Sequence, residues 1–313
     1  MRNFDNGVEF WFELDTKCAA DEEECRKRTD QFVDEFADTY REGVFLLEGR
    51  EKYIRSRVRE VCFRTAWMMI RPVRRGKTKA IYFERGFGRR ADALFPPVKI
   101  DLGSEGCVYI EGVIDRVDIF SAAMEEEEKT YIKIVDYKSG GDKFEMEDVR
   151  NGFRLQLMLY LKGAMGGIEG AYPAGVFYFK IHDDMAEVSD IPEEQVAVSV
   201  QESMQKGARL DGVVLAEQSV IECIDADFTE YSDIIPVKRK KDGSFMGSKL
   251  LSEEEFSELI AENDANLERA ASGFLAGKAD IEPMRGKSTD ACRFCGFRSI
   301  CNIQQTGLRG GNA

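Results

Sequence analysis

The apolar positions of the chain fall into two periodicities. Phe32, Phe36 and Tyr40 recur every four residues in a stretch without proline, which predicts an amphipathic helix over roughly 21–47. Ile54, Val58, Cys62 and Met69 predict a second helix, stopped near Pro72, where the backbone loses a hydrogen-bond donor. Beyond that point the pattern shifts to β-branched and aromatic runs bounded by glycine or charge. These predict strands at 79–84, 98–102, 107–119 and 131–137, with Glu125–Glu128 as a solvated hairpin tip between the last two. A helix is expected over about 145–164, ending at Gly166-Gly167, then a buried strand at 174–181 and helices at 192–206 and 252–276. There is no internal repeat and no long linker. The order α-β-β-β-α-β after a helical arm describes an α/β fold, a mixed sheet flanked by helices. Three segments follow: a helical arm with a basic stretch (1–78), an α/β core with helical insertions (79–285) and a cysteine-rich tail (286–313).

Candidate chemistry lies at the ends of the strands. Gly112-Val113-Ile114-Asp115-Arg116 and Ile134-Val135-Asp136-Tyr137-Lys138 each bring an aspartate to the end of an apolar run. Residues i and i+2 of a strand share a face, so Asp136 and Lys138 project together while Tyr137 points away. With Asp115 on a neighbouring strand, two carboxylates and one ammonium converge. That set suits metal-assisted phosphodiester hydrolysis, in which carboxylates hold the cation and lysine steadies the water or the developing charge. An isolated Asp-x-Lys is common and is usually solvated or self-paired, so its neighbours decide its meaning. Glu84 closes the run Ile81-Tyr82-Phe83 just before Gly86-Phe87-Gly88. Gln156 and Tyr160, four apart, share a helix face and, if buried, need polar partners.

The succession Glu84, Gly112-x-x-Asp115-Arg116, Asp136-x-Lys138 and Gln156-x-x-x-Tyr160 resembles the PD-(D/E)xK nucleases of the RecB type. With Ala174-Gly175-Val176-Phe177-Tyr178-Phe179 and Cys292-x-x-Cys295-x5-Cys301, it is similar in particular to the C-terminal nuclease domains of AddB-type helicase–nuclease subunits, over nearly the whole chain. The resemblance implies a restriction-endonuclease-like core and Mg²⁺ (or Mn²⁺) held by Asp115 and Asp136, with Glu84 as the upstream acid. It further implies Lys138 as the catalytic lysine and Gln156 and Tyr160 as the helix motif. DNA is the implied substrate and an AddA-type subunit the implied partner in a heterodimer that acts in break repair and recombination. Two other readings stay open: a catalytically silent DNA-end-binding or scaffold piece, and a stand-alone nuclease of the CRISPR-adaptation type. No Gly-x-x-x-x-Gly-Lys-Ser/Thr is present, so a motor activity would have to come from elsewhere.

Charge complicates a nucleic-acid reading, because the net charge is −14. Residues 52–79, however, hold ten Lys/Arg against the single acid Glu60. This block, with Arg71, Arg74, Arg75 and the stacking candidate Trp67, reads either as a DNA footprint or as a basic face turned to the acidic remainder of the protein, with Trp67 in the core. Lys238–Gly243 reads as an exposed basic turn. No apolar run is long enough to span a membrane and no signal-peptide core begins the chain, so the expected location is the cytoplasm.

In that compartment the eight cysteines should be thiols or ligands. Cys292, Cys295 and Cys301 have the spacing of metal or cluster ligands. The family resemblance implies a [4Fe–4S] cluster whose fourth cysteine lies far upstream, a ligand apparently absent from this chain. Cys18 and Cys25 are the candidates to replace it, although Cys25 follows Glu22-Glu23-Glu24, which disfavours a thiolate. The only histidine, His182, is open to a role at the DNA or metal site and equally to that of a neutral strand-end residue.

Overall fold

The computed structural model describes residues 21–40, 49–124, 127–140, 143–181, 209–279 and 291–301. Cys18, His182, the helix expected at 192–206 and Glu125-Glu126 of the acidic tip lie outside the described residues.

Two helices open the described chain, α1 (Glu22–Thr39) and α2 (Arg50–Arg75). Asp21 caps α1 by accepting from the Glu24 N–H, and three glutamates in the first turn complement the positive end of the helix. The buried stripe of α1 is Cys25, Thr29, Val33 and Ala37, while Phe36 is exposed. The four-residue spacing therefore holds but the buried face differs, because α1 packs small side chains closely against Phe63, Ala66 and Ile70 of α2. Contrary to expectation, α2 continues through Pro72 to Arg75. Pro72 sits in the last turn and its carbonyl still accepts from the Gly76 N–H.

Strands β1 (Lys79–Phe87), β2 (Val98–Asp101), β3 (Cys107–Ile110), β4 (Gly112–Met124) and β5 (Glu127–Lys138) follow. The run expected as one strand at 107–119 is two, divided at Glu111: β3 pairs with β2, whereas β4 joins the main sheet. The expected helix at 145–164 also divides, into α3 (Met146–Arg150) and α4 (Gln156–Gly167). The break carries Gly152 at φ 83° and Arg154 at φ 52°, values outside helical space. Next come β6 (Ala171–Lys180), β7 (Asp211–Leu215), α5 (Gln218–Ile224), β8 (Lys238–Arg239), β9 (Phe245–Met246), β10 (Leu250–Leu251), α6 (Glu253–Leu275) and α7 (Arg298–Cys301). The β8–β9 hairpin carries the basic turn expected at 238–243. α6 begins at a capping box between Ser252 and Glu255.

The main sheet has the order β1-β4-β5-β6-β7-β10. β5 and β6 are parallel, with α4 as their crossover, as are β7 and β10; the other neighbours are antiparallel. α4 lies on the face that carries Asp136 and Lys138. The α2–β1 junction and α5 lie on the other, where Lys77 N–H donates to the Cys223 carbonyl and Lys133 to Thr78 Oγ1. Asn266 of α6 donates to the last carbonyls of α3, those of Val149 and Arg150, and ties that short helix down.

Behind the site face, Arg116, Asp118 and Lys133 are almost wholly buried, at 2%, 0% and 1% exposure. Arg116 grips Asp118 through two nitrogens, and Lys133 Nζ lies 2.7 Å from Asp118 Oδ2. Burial alone would raise the Asp118 pKa; Arg116 and Lys133 outweigh it and hold the carboxyl below its ordinary value. Asp118→Asn, which leaves two buried cations unmatched, is expected to cost about 3–5 kcal/mol in denaturant unfolding. Joint replacement of all three residues by apolar ones of similar size should recover most of that loss. Because the native pKa is depressed, the stability from Asp118 is complete above about pH 4 and is lost as pH falls through the native value. An acid titration of wild type against the apolar triple variant reads this difference directly.

Candidate active site

Strand register assembles the acidic residues. Phe83 pairs with Arg116 and Arg85 with Ile114, which sets Glu84 across from Asp115. Arg116 pairs with Val135, and one step further sets Asp115 across from Asp136, which in turn pairs with Tyr178 on β6. Glu84, Asp115 and Asp136 therefore form one row across β1, β4 and β5. Asp136 is 1% exposed and Asp115 is half-buried. Asp115 Oδ2 accepts the Tyr137 backbone N–H at 2.9 Å, a bond that aims the carboxylate along the row.

Lys138 closes the row from the side. Its Nζ lies 2.6 Å from Asp136 Oδ2, donates to Gln156 Oε1 at 2.8 Å and sits 5.4 Å from the centre of the Tyr178 ring. Gln156 Nε2 donates to Tyr160 OH at 2.6 Å. Both ends of the Gln156 amide are thereby assigned, the oxygen to lysine and the nitrogen to tyrosine. Since the Tyr160 oxygen accepts this bond, its hydrogen remains a donor. Burial, with added repulsion from Asp115, Asp136 and Glu84, pushes the phenol up to about 12, so it keeps its proton at neutral pH. Phe87 seats this tyrosine, ring edge to face at 6.0 Å. A Cβ on Gly112 would come within 2.7 Å of the Phe87 ring and one on Gly163 within 3.1 Å, so both glycines make room for the wedge.

The row is electrostatically uneasy. Burial first, then Asp115 and Asp136, raise the Glu84 pKa. Burial raises that of Asp115, opposed by the Tyr137 N–H and Lys138. Glu84 also holds φ at 48°, a left-handed conformation that costs a non-glycine residue about 1 kcal/mol. Facing carboxylates on adjacent strands destabilise a sheet, and a hard divalent cation is the ordinary remedy for such an all-oxygen donor set. Among the described residues, no three His, Cys, Asp or Glu side chains enclose a single ion position. Asp115 and Asp136 fit as a two-carboxylate set, with Glu84 in the same row.

The remaining candidates lie elsewhere. Arg75 is held by Asp225, the Asp227 carbonyl and Asp233; the Arg74 guanidinium sits 5.2 Å from the Trp67 ring centre, and Trp67 itself packs against the core. Arg55 and Arg59 pair with Asp34, and Arg64 with Glu60. Much of the basic block is thus neutralised within the protein. Arg71 lies on α2, and its side chain lies outside the described residues. Cys292 lies within a 3-10 turn (Ala291–Phe294), Cys295 follows it and Cys301 ends α7, without converging as a three-ligand group among the described residues. Cys25 is buried between α1 and α2, and burial pushes its thiol up, which disfavours a ligating thiolate. Sequence reading passed over Asp211, which pairs with Tyr178 and so extends the acidic row on β7; its strand has only five residues.

The left-handed backbone at Glu84 yields a stability test. Glu84→Gly removes both the strain and the repulsion, and should raise the thermal midpoint by a few degrees. A fall in the midpoint would show that Glu84 is held by compensating contacts.

Comparison with known proteins agrees with this geometry. The family model described as the PD-(D/E)XK nuclease superfamily matches residues 9–302. A curated relative from Clostridium novyi (strain NT), named as the B subunit of an ATP-dependent helicase/deoxyribonuclease, is 34% identical over 299 residues, 94% of this chain and 25% of its own length. A protein of the same name from Alkaliphilus oremlandii (strain OhILAs) is 31% identical over 291 residues, 90% of this chain and 25% of its own. The chain spans about a quarter of the length of these relatives. With the row of acids, the lysine and the Gln–Tyr helix in place, the match over most of the sequence establishes that the chain belongs to the PD-(D/E)XK nuclease superfamily.

Proposed function

We propose that the chain is a Mg²⁺- or Mn²⁺-dependent deoxyribonuclease domain, an exonuclease within a helicase–nuclease that processes DNA ends in break repair and recombination. The observation that carries this reading is the Glu84–Asp115–Asp136 row closed by Lys138. Asp115 and Asp136, with the carbonyl after Asp136, would hold the cation, and Glu84 stands beside them in the row as the upstream acid. When bound, such an ion supplies charge neutralisation for the phosphate and for the departing oxygen.

The protein's own groups do the rest. An ammonium has three donors; Lys138 directs one to Gln156 and holds Asp136 as an ion pair. A remaining donor would orient the attacking water or a phosphate oxygen. This arrangement favours an orienting role for Lys138 over proton abstraction. Tyr160 offers its hydroxyl hydrogen over the acid row, and Gln156 keeps both partners in place. The site lies at the carboxyl ends of β5 and β6 and at the start of α4, whose N-terminal dipole favours an anionic substrate.

The names of the helicase/deoxyribonuclease relatives support a partner subunit and a DNA substrate, and the AddA type belongs to the same reading. The cysteine tail supports a [4Fe–4S] cluster completed by a ligand from outside this chain. A cytoplasmic location belongs to the same reading; among the described residues, no helix is long and apolar enough to cross a membrane.

Asp136→Ala and Lys138→Ala should each lower Mg²⁺-dependent degradation of linear DNA by at least about a hundredfold, with circular DNA resistant throughout. Intact degradation in either variant would refute the assignment, and a wild type that binds linear DNA without cutting it would favour the scaffold reading. For the tail, iron and sulfide analysis after anaerobic purification should give well under one cluster per chain. Full occupancy would place the fourth ligand within these residues.

A further inference from the structure

We propose that Lys180 binds a backbone phosphate of the DNA strand one step away from the scissile position, as the basic half of a polarised site. The inference rests on the nuclease reading above and adds a substrate contact to it.

Register places Lys180 beside the catalytic lysine. β5 and β6 are parallel, with Asp136 opposite Tyr178 and Lys138 opposite Lys180. Paired residues of neighbouring strands share a face, so both ammonium groups project from the face that carries the acid row. Like charges directly opposite destabilise a sheet unless something anionic lies with them. Lys138 has its counter-charge in Asp136 at 2.6 Å. Among the described residues, the nearest carboxylate to Lys180 is Asp211, at 3.8 Å. That carboxylate is already engaged: Lys249 Nζ donates to Oδ1 and the Phe144 N–H to Oδ2 at 3.0 Å. Lys249 is fixed further by its bond to the Phe144 carbonyl at 2.8 Å. Among the described residues, Lys180 therefore has the loosest ion pair of the three lysines, while its side chain keeps 20% exposure, comparable to the 22% of Lys138.

Counting charge along the face gives the site a direction. On the β1 side stand Glu84, Asp115 and Asp136. On the β6–β7 side, among the described residues, stand Lys138, Lys180 and Lys249, against Asp211. A cation fits the first side and a polyanion the second, so a DNA strand whose scissile phosphate lies by Asp136 and Lys138 presents a neighbouring phosphate to Lys180. Lys249, with both its bonds internal, is a structural neighbour and makes a suitable control.

The test is the salt dependence of binding. Affinity for linear duplex DNA is measured by fluorescence anisotropy between about 50 and 200 mM salt. EDTA is included so that no strand is cut. Each phosphate neutralised contributes about 0.9 to the slope of log K against log salt. Lys180→Gln is expected to lower that slope by about one, while Lys180→Arg preserves it, with all proteins melting together. An unchanged slope in Lys180→Gln, with wild-type binding intact, overturns the assignment and leaves the nuclease reading standing. Absence of wild-type binding overturns both.

Discussion

Asp118 draws both Arg116 and Lys133 to itself on the side of the β4–β5 pair that the active site does not use. Asp118 pairs with Lys133 across the two strands, and Arg116 with Val135. A slip of one residue would carry these charges to the other face and separate the acids at the same time. The register that puts Asp115 beside Asp136 is therefore enforced from behind. Buried ion triads usually contribute little net stability compared with apolar packing. Their use here lies in specifying one pairing out of several that two β-branched strands would tolerate. Tyr137 links the two sides: its hydroxyl interacts with Arg116, and its N–H orients Asp115.

The same period of two explains why the centre of the site was legible in the sequence. Asp136 and Lys138 had to share a face once the strand was recognised, and Gln156 and Tyr160 once the helix was. The helix bond between them and the lysine bond to Gln156 realise that geometry. What escaped reading depended on partners distant in the chain. The basic block stayed open between a DNA footprint and an internally paired face because its acids, Asp34, Asp225 and Asp233, lie outside it. The apolar face of α1 was misplaced because small residues, Thr29 and Ala37 among them, were buried in preference to Phe36. β7 and β10 are too short to display a pattern, yet β7 carries Asp211 and completes the row.

Local conflict concentrates where chemistry is expected. Three carboxylates face one another, Glu84 is held in left-handed space and Arg154 likewise just before Gln156. Sequences that fold well are locally consistent elsewhere and give up stability at functional sites. The capping box of α6, the acid-rich start of α1 and the Asn266 tie are the consistent parts, and they lie away from the row.

The Phe87 wedge has a bearing on how such a domain can evolve. Its ring occupies the volume that side chains at 112 and 163 would fill, and its far side bears on Tyr160. These positions belong to a strand end, a neighbouring strand and a helix, so enlarging either glycine pushes on the Phe87 ring and, through it, on Tyr160. A loss of bulk at 87 would relieve that pressure and would loosen Tyr160. In a lineage of related chains, these three sites should change together or not at all.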